Sequence, residues 1–577
     1  LLKNSPSVYV ADQAAGFGDS KMYMRGFDQS NTAFLLNGQP INGMDNGSLY
    51  WSNWQSVSDI ANLIDVQRGL GSSKLAIASV GGTVNIVTKA TEKKEGGFVR
   101  YLTGNDSYQK QTVGYNTGMK GKWGASFMFD NWSAHRSFAR GTEGKGQSYF
   151  VSVGFKPSER HTFNFMIFGA PQEHGQNYSK PMDTQYRNIK VNGVNKSIIA
   201  TPGYDITGRL GNSNYGFYNG EALSAKTNYY HKPVANLNWD FAINENLSLS
   251  TVIYASTGTG GGVGTLGNGP GYTDGGYKAN GEIDWDVLAT MNKGLTNGIS
   301  NGNNGTVLAS SVNNHFWYGG VSNLTFDTKK GLTFNVGTDI RFYEGEHYQQ
   351  LNNLLGASGR AASNIQRSKD YVVDKTFSSS PWNSLFNKAK HSERIGFDNS
   401  ERINYQGFFG QAEYSNELFS AFFQGAISWQ EYEKYDNWNY TAESAEKQGI
   451  KFKNGKAYSG ERTEIGYNLK AGFSFNLNKE NSVFVNGGKY SRQPYLNNMF
   501  VRNTVTFVEP TVNNEEIQSI EAGYRYKTRT LRVNINAYYT EWDNRADTYN
   551  DKDYTDSNNQ IHKNVRYLLN NLSQVHK

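Results

Sequence analysis

From Gly96 onward the chain runs in segments of about ten residues with alternating apolar and polar side chains, joined by connections that are short and long in turn. Leu332, Phe334, Val336, Ile340 and Phe342 share one face of such a segment; Thr333, Asn335, Gly337, Asp339 and Arg341 share the other. The stretches from Ile465 to Phe475 and from Leu531 to Tyr539 repeat the scheme. A period of two marks a strand with two unlike faces. Short connections fall at Lys156–His161, Asn244–Asn246, Asp327–Gly331, Asn416-Glu417, Asn476–Asn481 and Lys527–Thr530. Long polar stretches lie between them, near 171–228, 256–314, 346–403, 432–462 and 493–516. Structureless loops of that length are uncommon in compact soluble domains. Short turns at one rim and long loops at the other are the plan of an outer-membrane barrel. About sixteen strands can be counted in this way between Gly96 and Lys577.

Composition agrees with that plan. The chain has 37 Tyr and 32 Phe, yet only 37% of its 577 residues are hydrophobic. No segment approaches the ~20 apolar residues of a spanning helix. Rings at strand ends suit the membrane interface, and Tyr538-Tyr539 with Trp542, Phe316-Trp317-Tyr318, and Trp429 with Tyr432 and Tyr435 read as girdle positions. Trp382 and Trp438 fall in long stretches and divide evenly between girdle and ligand platform. With no Cys, disulfides, thiol nucleophiles and Cys-ligated metals are excluded. A net charge of +6, dispersed along the chain, gives no basic stripe for nucleic acid.

Ahead of the barrel pattern lies Met22 to Lys89. Three short apolar runs end in Met24-Arg25-Gly26-Phe27, Leu36-Asn37-Gly38 and Val66-Gln67-Arg68-Gly69, and Gly81-Gly82-Thr83-Val84-Asn85-Ile86-Val87-Thr88-Lys89 closes the stretch. Apolar runs punctuated by Gly predict a small mixed sheet with tight turns. In order and spacing these motifs resemble the plug domain of TonB-dependent outer-membrane receptors. Tyr50-Trp51-Ser52-Asn53-Trp54, Gln67 to Ala76 and Tyr490-Ser491-Arg492-Gln493-Pro494-Tyr495 resemble receptors of Bacteroidota.

The resemblance implies an all-β membrane protein: a large antiparallel barrel, twenty-two strands in that family, with a small mixed α/β plug in its lumen. The plug is expected over 1–93 and the barrel over 94–577. By comparison with the family, the start of the plug and the last strands are expected to lie outside this sequence, as is the segment that contacts TonB. The family further implies active import of a scarce or bulky nutrient across the outer membrane of a Gram-negative bacterium. The implied partners are the TonB–ExbB–ExbD complex, outer-membrane lipid and lipopolysaccharide, and a surface lipoprotein. A scaffold subunit and a passive porin-like channel are the alternatives; a secreted glycan-binding β protein is a more distant one.

Arg25, Gly26, Asn37, Gly38, Arg68, Gly69, Gly81 and Gly82 are the expected structural positions of the plug. In a polar lumen, Arg25 and Arg68 have two roles open to them: bidentate pairing with wall carboxylates, or ion pairs inside the plug. Trp51 and Trp54 follow a turn and are candidates for substrate contact, with packing of the plug as the other reading.

Other motifs carry less. Gly262-Val263-Gly264-Thr265-Leu266-Gly267 spells a dinucleotide fingerprint but lacks a βαβ unit, so a mobile outer loop is expected there. The nine His are scattered, with no zinc-binding pair. Asp543, Asp547, Asp551, Asp553 and Asp556 read as a solvated acidic loop, with Ca²⁺ binding left open over 543–556. No nucleophile elbow or paired-carboxylate site stands out, Asp284 and Asp286 included, so neither an enzyme nor a cofactor is expected.

Overall fold

The computed structural model describes residues 5–11, 18–70, 79–135, 140–177, 180–501, 504–508, 511–555 and 561–576. The Bacteroidota-like Gly71–Ala76 and most of the stretch before Gly18 lie outside them.

The N-terminal part contains two small sheets built from β1 (Val8–Ala11), β2 (Lys21–Met24), β3 (Thr32–Leu36), β4 (Gln39–Pro40), β5 (Leu63–Arg68) and β6 (Gly82–Val87). β1 pairs with β2, and the other four run in the order β4-β3-β6-β5, with β3 and β6 parallel. Two turns fix the entry geometry. Arg25-Gly26 and Asn37-Gly38 each place two successive residues at positive φ, 55° and 80° in the first and 53° and 85° in the second. That is the type I′ turn, in which Asn-Gly is favoured and an Arg is unusual.

The barrel follows: β7 (Gly96–Thr103), β8 (Gln109–Lys120), β9 (Trp123–Ala134), β10 (Gly144–Ser158), β11 (His161–Gly169) and β12 (Gln172–Gly175). Next come β13 (Thr227–His231), β14 (Val234–Ala242), β15 (Leu247–Gly267), β16 (Thr306–Asp327), β17 (Leu332–Asn353) and β18 (Ile395–Ser415). β19 (Phe419–Asp436), β20 (Arg462–Asn476), β21 (Asn481–Arg492), β22 (Glu515–Lys527), β23 (Arg532–Thr555) and β24 (Ile561–His576) complete it, and β24 closes on β7. β11 with β12, and β13 with β14, are single strands interrupted at Pro171 and Pro233, since proline supplies no ladder donor. Among the described residues the wall has sixteen crossings, the number countable from the sequence.

Several strands outrun the hydrophobic pattern. β15 continues through Gly267, and β16, β17 and β18 begin or end well inside the stretches expected to be loops. Beyond the bilayer both faces of a strand are wet, so the period-two signal fades while backbone pairing continues. Gly262–Gly267 is accordingly strand, in register with Thr306–Ser311, and not a mobile loop. Likewise, Asp543 onward continues β23 to Thr555, so the acidic stretch is strand rather than loop; Asp556 lies outside the described residues.

Alternation also corrects the girdle assignments. Phe316 and Tyr318 are 51% and 44% exposed on the outer face, whereas Trp317 between them is 2% exposed and points into the lumen. Adjacent residues of a strand cannot share a face. Tyr432 and Trp542 are buried for the same reason, and Trp438 is buried with the Arg367 guanidinium 4.3 Å from its ring centre.

The N-terminal part fills the lumen and does not touch the wall evenly. Phe34, Leu36, Trp54, Val84 and Ile86 form one hydrophobic core with wall residues Met128, Phe150, Met166, Phe168 and Val234. On the other side a smaller patch joins Phe27, Leu70 and Val80 to Tyr490, Ile517 and Trp542. Below that patch a polar cavity of about 400 Å³ runs between the sheet and the wall, past Arg68, Asn486 and Arg525.

Candidate functional site

Two arrangements stand out inside the barrel: the seams that fix the lumen domain to the wall, and a chamber above it on the side of the long loops.

The first seam is built on the Arg25 turn. Arg25 Nη2 lies 2.6 Å from Glu521 Oε1 on β22, with both side chains buried. The Tyr538 hydroxyl donates to the Arg25 carbonyl at 2.8 Å, and the guanidinium is 5.3 Å from the Tyr538 ring centre. Gly69, at φ 72°, makes this possible: a Cβ there would lie 2.3 Å from Arg25 Nη1 and 2.4 Å from Glu521 Oε2. Gly69 N–H donates to the Gly81 carbonyl at 3.0 Å, and Gly82 opens β6 opposite Arg68 at φ 129°. Arg68 behaves differently from Arg25. Its Nη1 donates to the Pro6 carbonyl at 3.2 Å, and among the described residues it forms neither the wall-carboxylate pair nor the internal ion pair considered from sequence. Glu521 is already engaged by Arg25 and, at 3.4 Å, by the Leu70 N–H.

A second seam runs through Asn37. Its amide accepts from Thr88 N at 2.6 Å and donates to the Thr88 carbonyl, while Asn238 of β14 donates to the Asn37 carbonyl at 2.8 Å. Asp59 accepts from Lys110 of β8 and Arg100 of β7, each at 2.7 Å. Burial raises the Asp59 carboxyl, but the hydrogen bonds from Lys110 and Arg100 outweigh it and hold the group below its ordinary value. Arg492 of β21 donates to Asn31 at 2.8 Å and pairs with Glu515 of β22.

The chamber has a volume of about 480 Å³. Its floor is the loop from Ile41 to Trp54, and its walls come from β13, β15, β16, β17, β18 and β19. His347 Nε2 lies 3.1 Å from Glu401 Oε1, and its Nδ1 lies 2.7 Å from Asn313 Oδ1. The Tyr230 hydroxyl meets His315 Nδ1 at 2.9 Å. Asp45 rises from the floor toward these groups. Burial beneath the chamber walls limits hydration of the carboxylate; that burial, followed by the charge of Glu401, pushes Asp45 up to about 6. Tyr50 is 46% exposed and presents a ring to the cavity.

Of the two tryptophans, Trp54 is 3% exposed and stacks on Phe168 of the wall, ring centres 6.1 Å apart at 5°. Trp51 lies edge-on to Phe34 at 5.4 Å. Both hold the floor together, and Trp54 also borders the chamber. Asp45, His315, His347 and Glu401 converge from separate segments of the chain, with no local motif to join them. Among the described residues, no group of three His, Cys, Asp or Glu is placed to hold a metal ion.

Residues 1–83 match the family model described as the TonB-dependent receptor plug domain. The chain is 29% identical over 111 residues to the vitamin B12 transporter BtuB of Vibrio vulnificus, covering 19% of this chain and 18% of that protein. It is 30% identical over 106 residues to the probable TonB-dependent siderophore receptor PirA of Acinetobacter baumannii, covering 16% and 14%. These matches span less than a fifth of the curated relatives' own length. In fold, the copper transporter OprC superposes with a TM-score of 0.62 at 11% identity, over 99% of this chain and 72% of that one. The unliganded ferric citrate transporter FecA gives 0.57 at 13% identity, over 100% and 71%.

Over residues 1–83 the chain is similar to the plug domain of the TonB-dependent receptors. The lumen domain matches that plug model, and the wall shares the plugged-barrel fold of these solved transporters. In receptor terms, the Arg25 and Asn37 seams are plug-to-barrel contacts, and the chamber lies between the plug loop and the outer half of the barrel.

Proposed function

We propose that this receptor imports a scarce or bulky solute across the outer membrane, with residues 1–93 as the gate and 94–577 as the wall. The observation that carries the reading is the chamber. A cavity of about 480 Å³, lined by ring, amide and charged side chains, sits directly on the domain that blocks the lumen. A site of that kind suits capture before passage. The relatives' named cargoes, vitamin B12, siderophores, copper and ferric citrate, support the class of solute without selecting one. Arg25, Gly26, Asn37, Gly38, Arg68, Gly69, Gly81 and Gly82 are the proposed structural positions of the gate. Energy would come from TonB with ExbB and ExbD; a surface lipoprotein and outer-membrane lipopolysaccharide are the further proposed partners.

The test is a deletion strain grown on single limiting nutrients, complemented with the full-length gene in the presence and absence of TonB. Restored growth that requires TonB supports the proposal. Growth restored equally without TonB, with open conductance in planar bilayers, would show a passive channel.

A further inference from the structure

The long connection between β17 and β18, residues 354–394, divides between the two faces of the wall: Ala362 and Val373 pack with Val307, Ala309 and Leu351, which share the parity of lumen-facing Trp317 and His347. Its later part, from Phe377 to Ala389, lies down on the outside of the barrel. Val312 and Tyr348 have the outward parity of exposed Phe316 and of Phe342, yet they are buried, because Phe377 and Ala389 of this connection pack on them. Farther round the wall, the short helix Pro381–Phe386 continues the cover. Ser384 Oγ meets Thr259 Oγ1 of β15 at 3.1 Å. Trp382 Nε1 donates to Gln147 Oε1 of β10 at 2.9 Å, and its ring stacks on Tyr149 and meets His231 edge-on, centres 5.8 and 4.6 Å away. The returning end is fastened by Arg394, which pairs with Glu346 and Asp398 at 2.7 Å each and lies 3.9 Å over the Tyr348 ring.

The level of this strap follows from its neighbours. Tyr149 is followed toward the short-turn rim by exposed Val151 and Val153, and preceded by Gln147 and exposed Lys145. The helix thus sits where the lipid-facing band ends on the long-loop side. It leaves Phe386 80% exposed and Trp382 40% exposed, and exposed Lys388 and Lys390 follow directly. Apolar rings beside lysines at the end of an apolar band are the makings of an interfacial anchor, with the cations at the depth of lipid phosphates. We propose that this strap is a binding site for a phosphate-bearing lipid of the outer leaflet, with Phe386 and Trp382 among its acyl chains and Lys388 and Lys390 on its phosphate. Two features select lipid as the occupant: the patch is continuous with the lipid-facing surface of the barrel, and its charge complements an anionic headgroup.

The inference rests on membrane placement alone, so its test reads lipid contact and not uptake. Because the chain has no Cys, a nitroxide can be placed by Phe386→Cys in the full-length receptor, reconstituted in phosphatidylcholine nanodiscs with or without lipid A. Oxygen should relax the label more strongly than a water-soluble nickel chelate. Lipid A retained through repurification should fall about fivefold for each lysine removed by Lys388→Gln and Lys390→Gln, and Lys388→Arg with Lys390→Arg should restore it. A gel shift on heating confirms that each variant is folded. A label relaxed by the nickel chelate as in free solution overturns the proposal, and so does lipid A retention that the double Gln variant leaves unchanged.

Discussion

Arg25 and Glu521 meet at 2.6 Å across 496 positions of sequence, one at the tip of a plug turn and the other on the barrel wall, and Gly69 leaves the space in which they touch. Three properties coincide at this point. Arg25 sits at φ 55°, a conformation an arginine adopts only when its surroundings require it. Its charge is buried, and a buried charge without a partner is costly. Gly69 has no side chain because none fits. The strain in the turn is therefore held by the ion pair, and the ion pair depends on the glycine.

Glu521→Gln keeps the shape and removes the charge. It should cost about 3–5 kcal/mol of plug attachment, the scale for stranding one member of a buried pair. The measurement is amide hydrogen exchange of β5 and β6 in the folded barrel, with Arg25→Ala and the double variant closing a cycle. Additive effects of the two single variants would mean that the pair is not coupled. Gly69→Ala should expose the same amides by displacing Arg25, although it removes no charge.

Lys110 bridges Asp59 of the plug to the wall and lies 3.4 Å from buried Asp130. The folded carboxyl of Asp59 is held below its ordinary value, so its stabilising contribution is present above the unfolded pKa and is lost as pH falls through the folded one. Lys110→Ala should loosen the plug at pH 7 and remove much of this acid sensitivity. Protease access to the Val57–Ile60 segment, followed from neutral to strongly acid pH, reads both effects. Identical acid profiles for the variant and the parent would exclude Lys110 as the partner that matters.

How much of this was legible in the residues depends on range. The barrel was legible because each strand carries its own period-two signal and its own turn. The plug sheet was legible because Asn37-Gly38 and Arg68-Gly69 name their turns locally. The outer ends of β15 to β18 were not, since above the bilayer nothing apolar marks a face. The chamber was not legible either: Asp45, His315, His347 and Glu401 come from four separate segments, and only closure of the wall brings them together. Trp317 was misjudged because a run of three aromatics in a strand must split between two faces.

Asp45 gives a pH prediction of opposite sign to Asp59. Its folded pKa is raised to about 6 by burial and by Glu401, so the native state holds this proton more tightly than the unfolded chain does. The charged form therefore costs stability, a cost that sets in as pH rises from about 4 to 6 and is complete above that window. Asp45→Asn should stabilise the plug at pH 7.5 and make no difference near pH 4. Infrared difference spectra between parent and variant should show a protonated carboxyl band with a midpoint near pH 6. A midpoint near 4 would mean that the chamber hydrates Asp45 like open solvent.

Trp54 and Tyr50 separate packing from contact with solute. Trp54 is stacked on Phe168 inside the core shared by plug and wall, so Trp54→Ala should cost about 3–5 kcal/mol as a large-to-small core change. Trp54→Phe should recover most of that. Neither variant needs to alter solute affinity once the plug is seated. Tyr50 buries little and faces the chamber, so Tyr50→Ala should leave plug exchange unchanged while weakening capture of the transported solute. The decisive comparison is between hydrogen exchange and uptake for the same two variants. If Tyr50→Ala loosens the plug while Trp54→Phe abolishes uptake with the plug intact, the roles are reversed, and the indole of Trp54 is the surface the solute meets.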